Sequence, residues 1–361
     1  MSMNRYEQDL LQHCTELDAI TSSSGKVVDC AKSIVAGNDE NSKVLCKIIE
    51  KASELNNPKI TSIAIEIKNS LLQFYGYQRL AEICNDRSDE ENDFTLEQLT
   101  DQLNHLIGLV NVKSKVNDLI AFHKVQLLRK NKGLRVPKGT MHLAFTGNPG
   151  TGKTTVARIV GRIYKKLGLL TKGHFIEVSR TDLIAEYQGQ TAHKVKKVIE
   201  KAKGGVLFID EAYSITENDH SDSYGRECLT ELTKALEDYR EDLVVIVAGY
   251  TEPMKQFFES NPGLKSRFNT FIEFDDYNAT ELIDIFKSMS EADDYVASEC
   301  AIEKLSQNFE SVICSKEGSF ANARYVRNIF ESMVMNQARR VSQIASPTIL
   351  ELKLLTEIDI P

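Results

Sequence analysis

The chain has 361 residues, 42% of them apolar and 27% charged, with a formal net charge of −8. That length exceeds one typical domain, and the composition is that of a globular protein rather than a disordered or fibrous one. The acidic balance counts against an extended nucleic-acid surface, no apolar run approaches the roughly 18 residues that span a bilayer, and the first residues lack a signal-peptide core, so a cytoplasmic setting without membrane contact is expected.

Residues 1–84 read as a small all-helical domain of some four helices. Val44, Leu45, Ile48, Ile49, Ala52 and Leu55 share one helical face, and Ile60, Ile63, Ala64, Ile67, Leu71 and Phe74 share another, just after Pro58. The breaks fall at Thr21–Ser22–Ser23–Ser24–Gly25 and Gly37–Asn38–Asp39. No chemistry is visible here, and a docking or assembly module is the plain reading. Cys14, Cys30 and Cys46 recur every 16 residues without a repeat around them. The seven cysteines contain no C-x-x-C pair and form no cluster with histidine, so reduced thiols and no structural zinc are expected. Residues 85–104 are assigned to an acidic linker, most polar over residues 85–93. Leu106–Ile107–Gly108–Leu109 then forms a hinge-like lead-in to a helix carrying Val112, Val116, Leu119, Ile120 and Val125.

From Met141 strands and helices alternate. Leu143–Ala144–Phe145–Thr146 reads as a buried strand, and Gly147–Asn148–Pro149–Gly150–Thr151–Gly152–Lys153–Thr154–Thr155 follows it. This fits G-x-x-x-x-G-K-[ST] between a strand and a helix, the context in which that motif binds phosphate. The glycines turn the backbone so that successive N–H groups face an anion, and the helix N-terminus adds its dipole. Lys153 is placed to reach β/γ-phosphates, and the Thr154 hydroxyl to ligate Mg²⁺.

Phe175–Ile176–Glu177–Val178 is the second strand. The loop Ala185–Glu186–Tyr187–Gln188–Gly189–Gln190 follows it, and Tyr187 there either packs locally or grips a partner through its stiff ring. The third strand, Val206–Leu207–Phe208–Ile209–Asp210, ends in two carboxylates. Asp210 is placed to hold Mg²⁺ through water, and Glu211 to orient and polarise an attacking water. Residues 214–224 form a polar loop. Leu243–Val244–Val245–Ile246–Val247–Ala248 and Phe271–Ile272–Glu273–Phe274 are the remaining strands, giving a parallel sheet covered by helices on both faces. Between them Asn261–Pro262–Gly263–Leu264–Lys265–Ser266–Arg267–Phe268 holds an arginine that is either a surface residue beside a turn or a cation projecting to a neighbouring subunit's nucleotide. From Thr280 onward strands are expected to stop. Phe320–Ala321–Asn322–Ala323–Arg324–Tyr325–Val326–Arg327 opens one of the C-terminal helices, its cations facing either solvent or the phosphates.

These motifs in this order resemble the AAA+ ATPases, and within them the CbxX/CfqX branch. The residues carrying the resemblance are Phe145 to Thr155, Gly204 to Tyr213, Leu243 to Tyr250, Asn261 to Arg267 and Phe320 to Arg324, within residues 105–345. The resemblance implies a P-loop AAA+ module, with a five-stranded α/β large subdomain over 105–278 and a helical small subdomain, the lid, over 279–361. It implies ATP and Mg²⁺ as cofactors, Arg267 as an arginine finger, Arg324 as the sensor-2 arginine with Arg327 as runner-up, and Tyr187, Gln188 and Gly189 as a pore loop. The sequence departs from the broader pattern at Ala248–Gly249–Tyr250–Thr251, where many relatives carry a water-positioning asparagine, and at Gln188, where the branch carries an aliphatic residue. The expected activity is ATP hydrolysis by a homo-oligomeric ring, a hexamer, that remodels or threads a protein partner chosen by the N-terminal domain. The alternatives are a nucleotide-dependent scaffold or switch, and a nucleic-acid ATPase, which the acidic balance disfavours.

Overall fold

A computed structural model of the chain describes residues 5–21, 25–35, 40–54, 58–75, 94–137, 139–185, 187, 189–216, 223–315 and 320–361. The chain divides into two compact units, Met1–Asp93 and Phe94–Pro361. No helix among the described residues is long and apolar enough to cross a membrane.

In the first unit four helices are described, α1 (Arg5–Thr21), α2 (Lys26–Val35), α3 (Glu40–Glu54) and α4 (Pro58–Tyr75). α1 packs on α2 and α4, and α3 packs on the same two. Their shared core holds Leu10, Cys14, Leu17, Ala31, Ile34, Leu45, Ile49, Ala64, Ile67 and Leu71. Residues 22–24 of the first expected break, the whole of the second, and Leu55 fall outside the described residues, as does the acidic stretch 85–93.

The second unit starts earlier than the sequence suggests. Residues 96–104, assigned above to the acidic linker, form helix α5 (Leu96–Asn104). The Thr95 hydroxyl accepts from the Gln98 N–H while the Gln98 side chain accepts from the Thr95 N–H, and this reciprocal cap fixes the start. Leu99 and Leu103 then enter the α/β core. The acidic composition of the preceding residues hid a short helix whose apolar signal is three leucines, Leu96, Leu99 and Leu103.

α6 (Val110–Asn131) leads to a five-stranded, wholly parallel sheet of β1 (Leu143–Gly147), β2 (Phe175–Val178), β3 (Val206–Ile209), β4 (Val244–Gly249) and β5 (Thr270–Phe274), in the order β2-β3-β4-β1-β5. Side chains alternate across each strand. Phe145, Phe208 and Ile246 pack on α5, α6 and α7 (Lys153–Lys166). Ala144, Leu207, Ile209, Val245 and Val247 face the opposite layer. That layer is built from α8 (Arg180–Leu183), α9 (Thr191–Ala202), α10 (Ser223–Asp238), α11 (Thr251–Glu259) and α12 (Pro262–Lys265). A 3₁₀ turn, Ala212–Thr216, occupies the start of the polar 214–224 loop, and residues 217–222 fall outside the described residues.

The lid comprises α13 (Ala279–Ala292), α14 (Glu299–Ser315), α15 (Ala323–Val341) and α16 (Ile349–Lys353). Strands do not stop at Thr280, because β6 (Val296–Ala297) pairs in parallel with β7 (Leu354–Leu355). Two-residue strands are too short to leave an alternating pattern in a sequence. The last residues lace onto the C-terminal half of α15. The Gln337 amide donates to the Glu351 and Leu352 carbonyls at 3.0 and 2.9 Å, and Arg340 donates to the Asp359 carboxylate at 3.0 and 2.8 Å and to the Leu354 carbonyl at 3.0 Å. Burial opposes ionisation of Asp359, but Arg340 and the Thr356 N–H and hydroxyl outweigh it and hold the carboxyl below its usual range. Leu109 belongs both to the α/β core and to the lid core of Leu282, Phe286, Leu305 and Phe330, so the hinge-like segment ties the two subdomains.

Candidate active site

In an open parallel sheet, ligands bind beyond the carboxyl ends of the strands. β1 ends at Gly147, where φ is 143° and an added Cβ would stand 2.3 Å from the Phe274 carbonyl oxygen. The loop continues through Gly150 at φ 73°, where a Cβ would stand 2.2 Å from the Ala321 carbonyl oxygen of the lid. Only glycine meets both demands. The Thr151 hydroxyl is buried and donates to the Asn148 carbonyl at 2.8 Å, which sets the loop's curl. α7 then opens at Lys153, behind Gly152.

The Lys153 ammonium donates to the Gly147 and Asn148 carbonyls at 2.9 and 2.7 Å. Burial pushes its pKa down to about 8, with Arg324 adding to the depression and the Asp210 and Asp276 carboxylates opposing it. A lysine so placed is a cation waiting for an anion.

The acidic half of the site comes from β3. Asp210 follows Ile209 and is held to β2 by its N–H to the Val178 carbonyl at 3.1 Å. Glu211 stands at φ 47°, and its N–H donates to the Asp210 carboxylate at 3.0 Å. A side-chain residue in that left-handed region is backbone strain of the kind that collects at functional sites. β4 lies between β3 and β1, so its end brings Gly249 and Tyr250 between the carboxylates and the glycine loop. The Tyr250 ring sits 6.2 Å from that of Tyr213. The lid supplies Ala323, Arg324 and Arg327 from the first turns of α15.

These groups surround one cleft of about 320 Å³. Of the residues expected at a nucleotide site, Gly147, Pro149, Gly150, Gly152, Lys153, Thr154, Thr155, Asp210, Glu211 and Arg324 line it. Asn148 and Thr151 shape the loop instead, Asn148 through its amide on the Asp276 carboxylate at 3.0 and 2.9 Å. Arg327 lines the cleft beside Arg324, so geometry does not separate the two candidates. Arg267 does not line it: its guanidinium lies 3.7 Å from Glu237 and donates to the Gly263 carbonyl at 2.6 Å. Tyr187 is 68% exposed, and Gly189, two residues on, has φ 80°. Gln188 lies outside the described residues. Sequence reasoning left the water-positioning role at the end of β4 unassigned, and the structure places Gly249 and Tyr250 from that strand end in the cleft.

The described donor set suits a nucleoside triphosphate with its divalent ion: backbone N–H groups at a helix start, one half-buried ammonium, hard hydroxyl and carboxylate oxygens, and two guanidinium groups. Residues 143–276 match the ATPase family associated with various cellular activities (AAA), and residues 278–361 match the AAA lid domain. The chain is 43% identical over 254 residues to a CfxQ homologue of Trieres chinensis, covering 70% of this chain and 87% of that protein. It is 39% identical over 256 residues to stage V sporulation protein K of Bacillus subtilis (strain 168), covering 71% and 79%. It is 41% identical over 264 residues to a chloroplastic ribulose bisphosphate carboxylase/oxygenase activase of Cyanidioschyzon merolae (strain NIES-3377 / 10D), covering 73% and 87%. Among solved structures, the FIGL-1 AAA domain shares the fold with a TM-score of 0.51 at 18% identity, over 71% of this chain and 80% of that one. The chain therefore belongs to the AAA family of ATPases, and is itself an ATPase whose α/β module and lid both line the cleft described above.

Proposed function

We propose that this ATPase assembles into a cytoplasmic ring, a hexamer, and uses ATP hydrolysis to remodel a protein partner. The observation carrying this reading is the position of Arg267, outside its own cleft on the α12–β5 connection while the other nucleotide-facing groups gather inside it. A cation that acts on phosphate from there acts on a neighbour's phosphate, and a repeated head-to-tail contact of that kind closes into a ring.

Within each cleft, the Gly147-to-Gly152 backbone and Lys153 hold the β- and γ-phosphates. Glu211 accepts a proton from the attacking water and aims it at phosphorus. Arg324 and Arg327 tie the lid to the phosphates, and Arg267 of the adjacent copy neutralises charge that grows on the transferring group. The Thr154 hydroxyl and Asp210, the latter through water, are the oxygens that would hold Mg²⁺, which would supply charge neutralisation between the phosphates. Tyr187, exposed on a loop with Gly189 beside it, offers a stiff aromatic contact for a partner chain and forms a pore loop with Gln188. One relative is named as an activase of another enzyme, which supports a protein as the object of the work. The first unit, in which four helices are described, is the candidate for choosing that partner, and Cys14, Cys30, Cys228, Cys300 and Cys314, held as thiols, suit a reducing compartment.

The test is Glu211→Gln, measured by native mass and steady-state phosphate release. The variant should bind ATP, lose turnover and accumulate as a closed oligomer. A chain that stays monomeric with ATP bound, at concentrations well above those used for assay, sinks the ring; wild-type turnover sinks the role of Glu211.

A further inference from the structure

Asn322 occupies the capping position before α15, yet its side chain caps nothing. A capping asparagine ordinarily accepts from the N–H groups of the first turn. Here the side-chain oxygen accepts from the Tyr277 N–H at 2.9 Å, on the segment joining β5 to the lid. The amide nitrogen donates to the Asp276 carboxylate at 2.7 Å, to the Phe320 carbonyl at 3.0 Å and to the Pro149 carbonyl of the glycine loop at 3.3 Å. The residue is fully buried, and it stands at φ 48° and ψ −125°, a region that glycine enters freely and other residues rarely. Backbone geometry alone would be better served by glycine, so the side chain is what the position uses.

Asp276 completes the arrangement. The same carboxylate accepts from Asn322 of the lid and from the Asn148 amide of the glycine loop. Alongside, the Ala323 N–H donates to the Gly150 carbonyl at 3.2 Å and the Tyr277 hydroxyl donates to the Thr151 carbonyl at 3.3 Å. One buried amide and one carboxylate thus bind three pieces of chain far apart in sequence: the glycine loop, the exit from β5 and the base of α15. Arg324 and Arg327 stand two and five residues beyond Asn322, on the first turns of that helix.

We propose that Asn322 is a positioning residue for ATP hydrolysis: with Asp276 it clamps the base of α15 to the phosphate loop and so fixes where Arg324 and Arg327 stand over the phosphates. Lid angle and loop shape then change together, because tilting α15 away breaks the bonds to Pro149, Asp276 and Gly150. Asn322 touches neither nucleotide nor water itself. The inference rests on the phosphate-facing role given above to the two arginines, and the experiment separates the two.

Four full-length chains are compared: wild type, Arg324→Ala, Asn322→Gly and the double variant, with turnover, ATP affinity and cooperative melting recorded for each. Glycine keeps the unusual backbone without strain, so Asn322→Gly reads the amide and not the turn. The expected result is a loss of about tenfold or more in turnover for each single variant, the scale of a buried hydrogen bond to a charged group, with the double variant no slower than Arg324→Ala. Such non-additivity is what positioning through a shared group produces; a merely structural role leaves Arg324→Ala with its full effect in either background. Additive losses, or wild-type turnover in Asn322→Gly, overturn the inference while leaving the arginine role standing. Wild-type turnover in Arg324→Ala overturns the arginine role and the inference with it. If Asn322→Gly melts without cooperativity, Asn148→Ala replaces it in the same cycle, since it removes the other donor to Asp276 from a half-buried position; additivity there also overturns the inference.

Discussion

Replacing Gly150 by alanine adds one methyl group, and the structure says where it goes. The new Cβ would lie 2.2 Å from the Ala321 carbonyl oxygen and 2.9 Å from the Arg324 amide nitrogen, where ordinary contact begins at 3.4 Å. Both neighbours are backbone, so no side chain can swing aside, and the lid must part from the loop by about 1 Å. Two costs follow. Holding alanine at φ 73° costs roughly 1–2 kcal/mol of stability. Moving the first turn of α15 by about 1 Å displaces Arg324, and a misplacement of that size costs on the order of 100-fold in rate. Gly139→Ala is the control, because nothing lies within 4 Å of its Cβ position. Urea melts of the full chain report the first cost and steady-state ATP hydrolysis the second. A Gly150→Ala chain that hydrolyses ATP within twofold of wild type would refute the reasoning, since the seat of the lid would then not depend on this contact.

Other outcomes can be read independently. Lys153 has its pKa depressed to about 8 from an ordinary 10.5, so the free chain loses this cation as pH rises through 8 while an unfolded chain keeps it. ATP binding restores the charge, so affinity should fall above that pH and binding should take up a proton. Titration calorimetry at about pH 8.5 in two buffers of different ionisation enthalpy reads the uptake, and identical heats would remove the argument. Arg267→Ala should lower hydrolysis about 10³-fold or more, with partial rescue on mixing with Lys153→Ala chains that cannot hold ATP but still present Arg267. Mixed oligomers verified by mass and showing no rescue would argue against action on a neighbour. Tyr187→Ala should leave melting and basal hydrolysis within a few-fold of wild type, because the ring is exposed, while partner-stimulated turnover is lost. Undiminished stimulation would mean that the loop does not grip.

The parts of the site legible in the sequence are those encoded locally. Glycine spacing, the strand before it and the helix after it lie within two dozen residues, and the Asp210–Glu211 pair ends an apolar run. What stayed hidden is built from distance in sequence. Asp276 meets Asn148 across 128 residues and Asn322 meets Pro149 across 173, and Asp276 belongs to no spaced motif. Tyr250 enters the cleft only because β4 is inserted between β3 and β1. Arg267 was undecidable from spacing because its meaning depends on which cleft it stands outside. Helix α5 was lost in an acidic neighbourhood although its capping box, Thr95 to Gln98, was readable.

α15 is anchored at both extremities. Its first residue sits beside the Asn322 amide, and its last turns are held by Gln337 and Arg340 to residues 351–359. Nineteen residues of helix make a beam about 28 Å long. A beam fixed at one end dissipates a push by swinging, whereas a beam fixed at both delivers it. Displacing the cleft end of the helix would therefore load the hydrogen bonds that Gln337 and Arg340 make to residues 351–359. The C-terminal stretch is the far bearing of that beam.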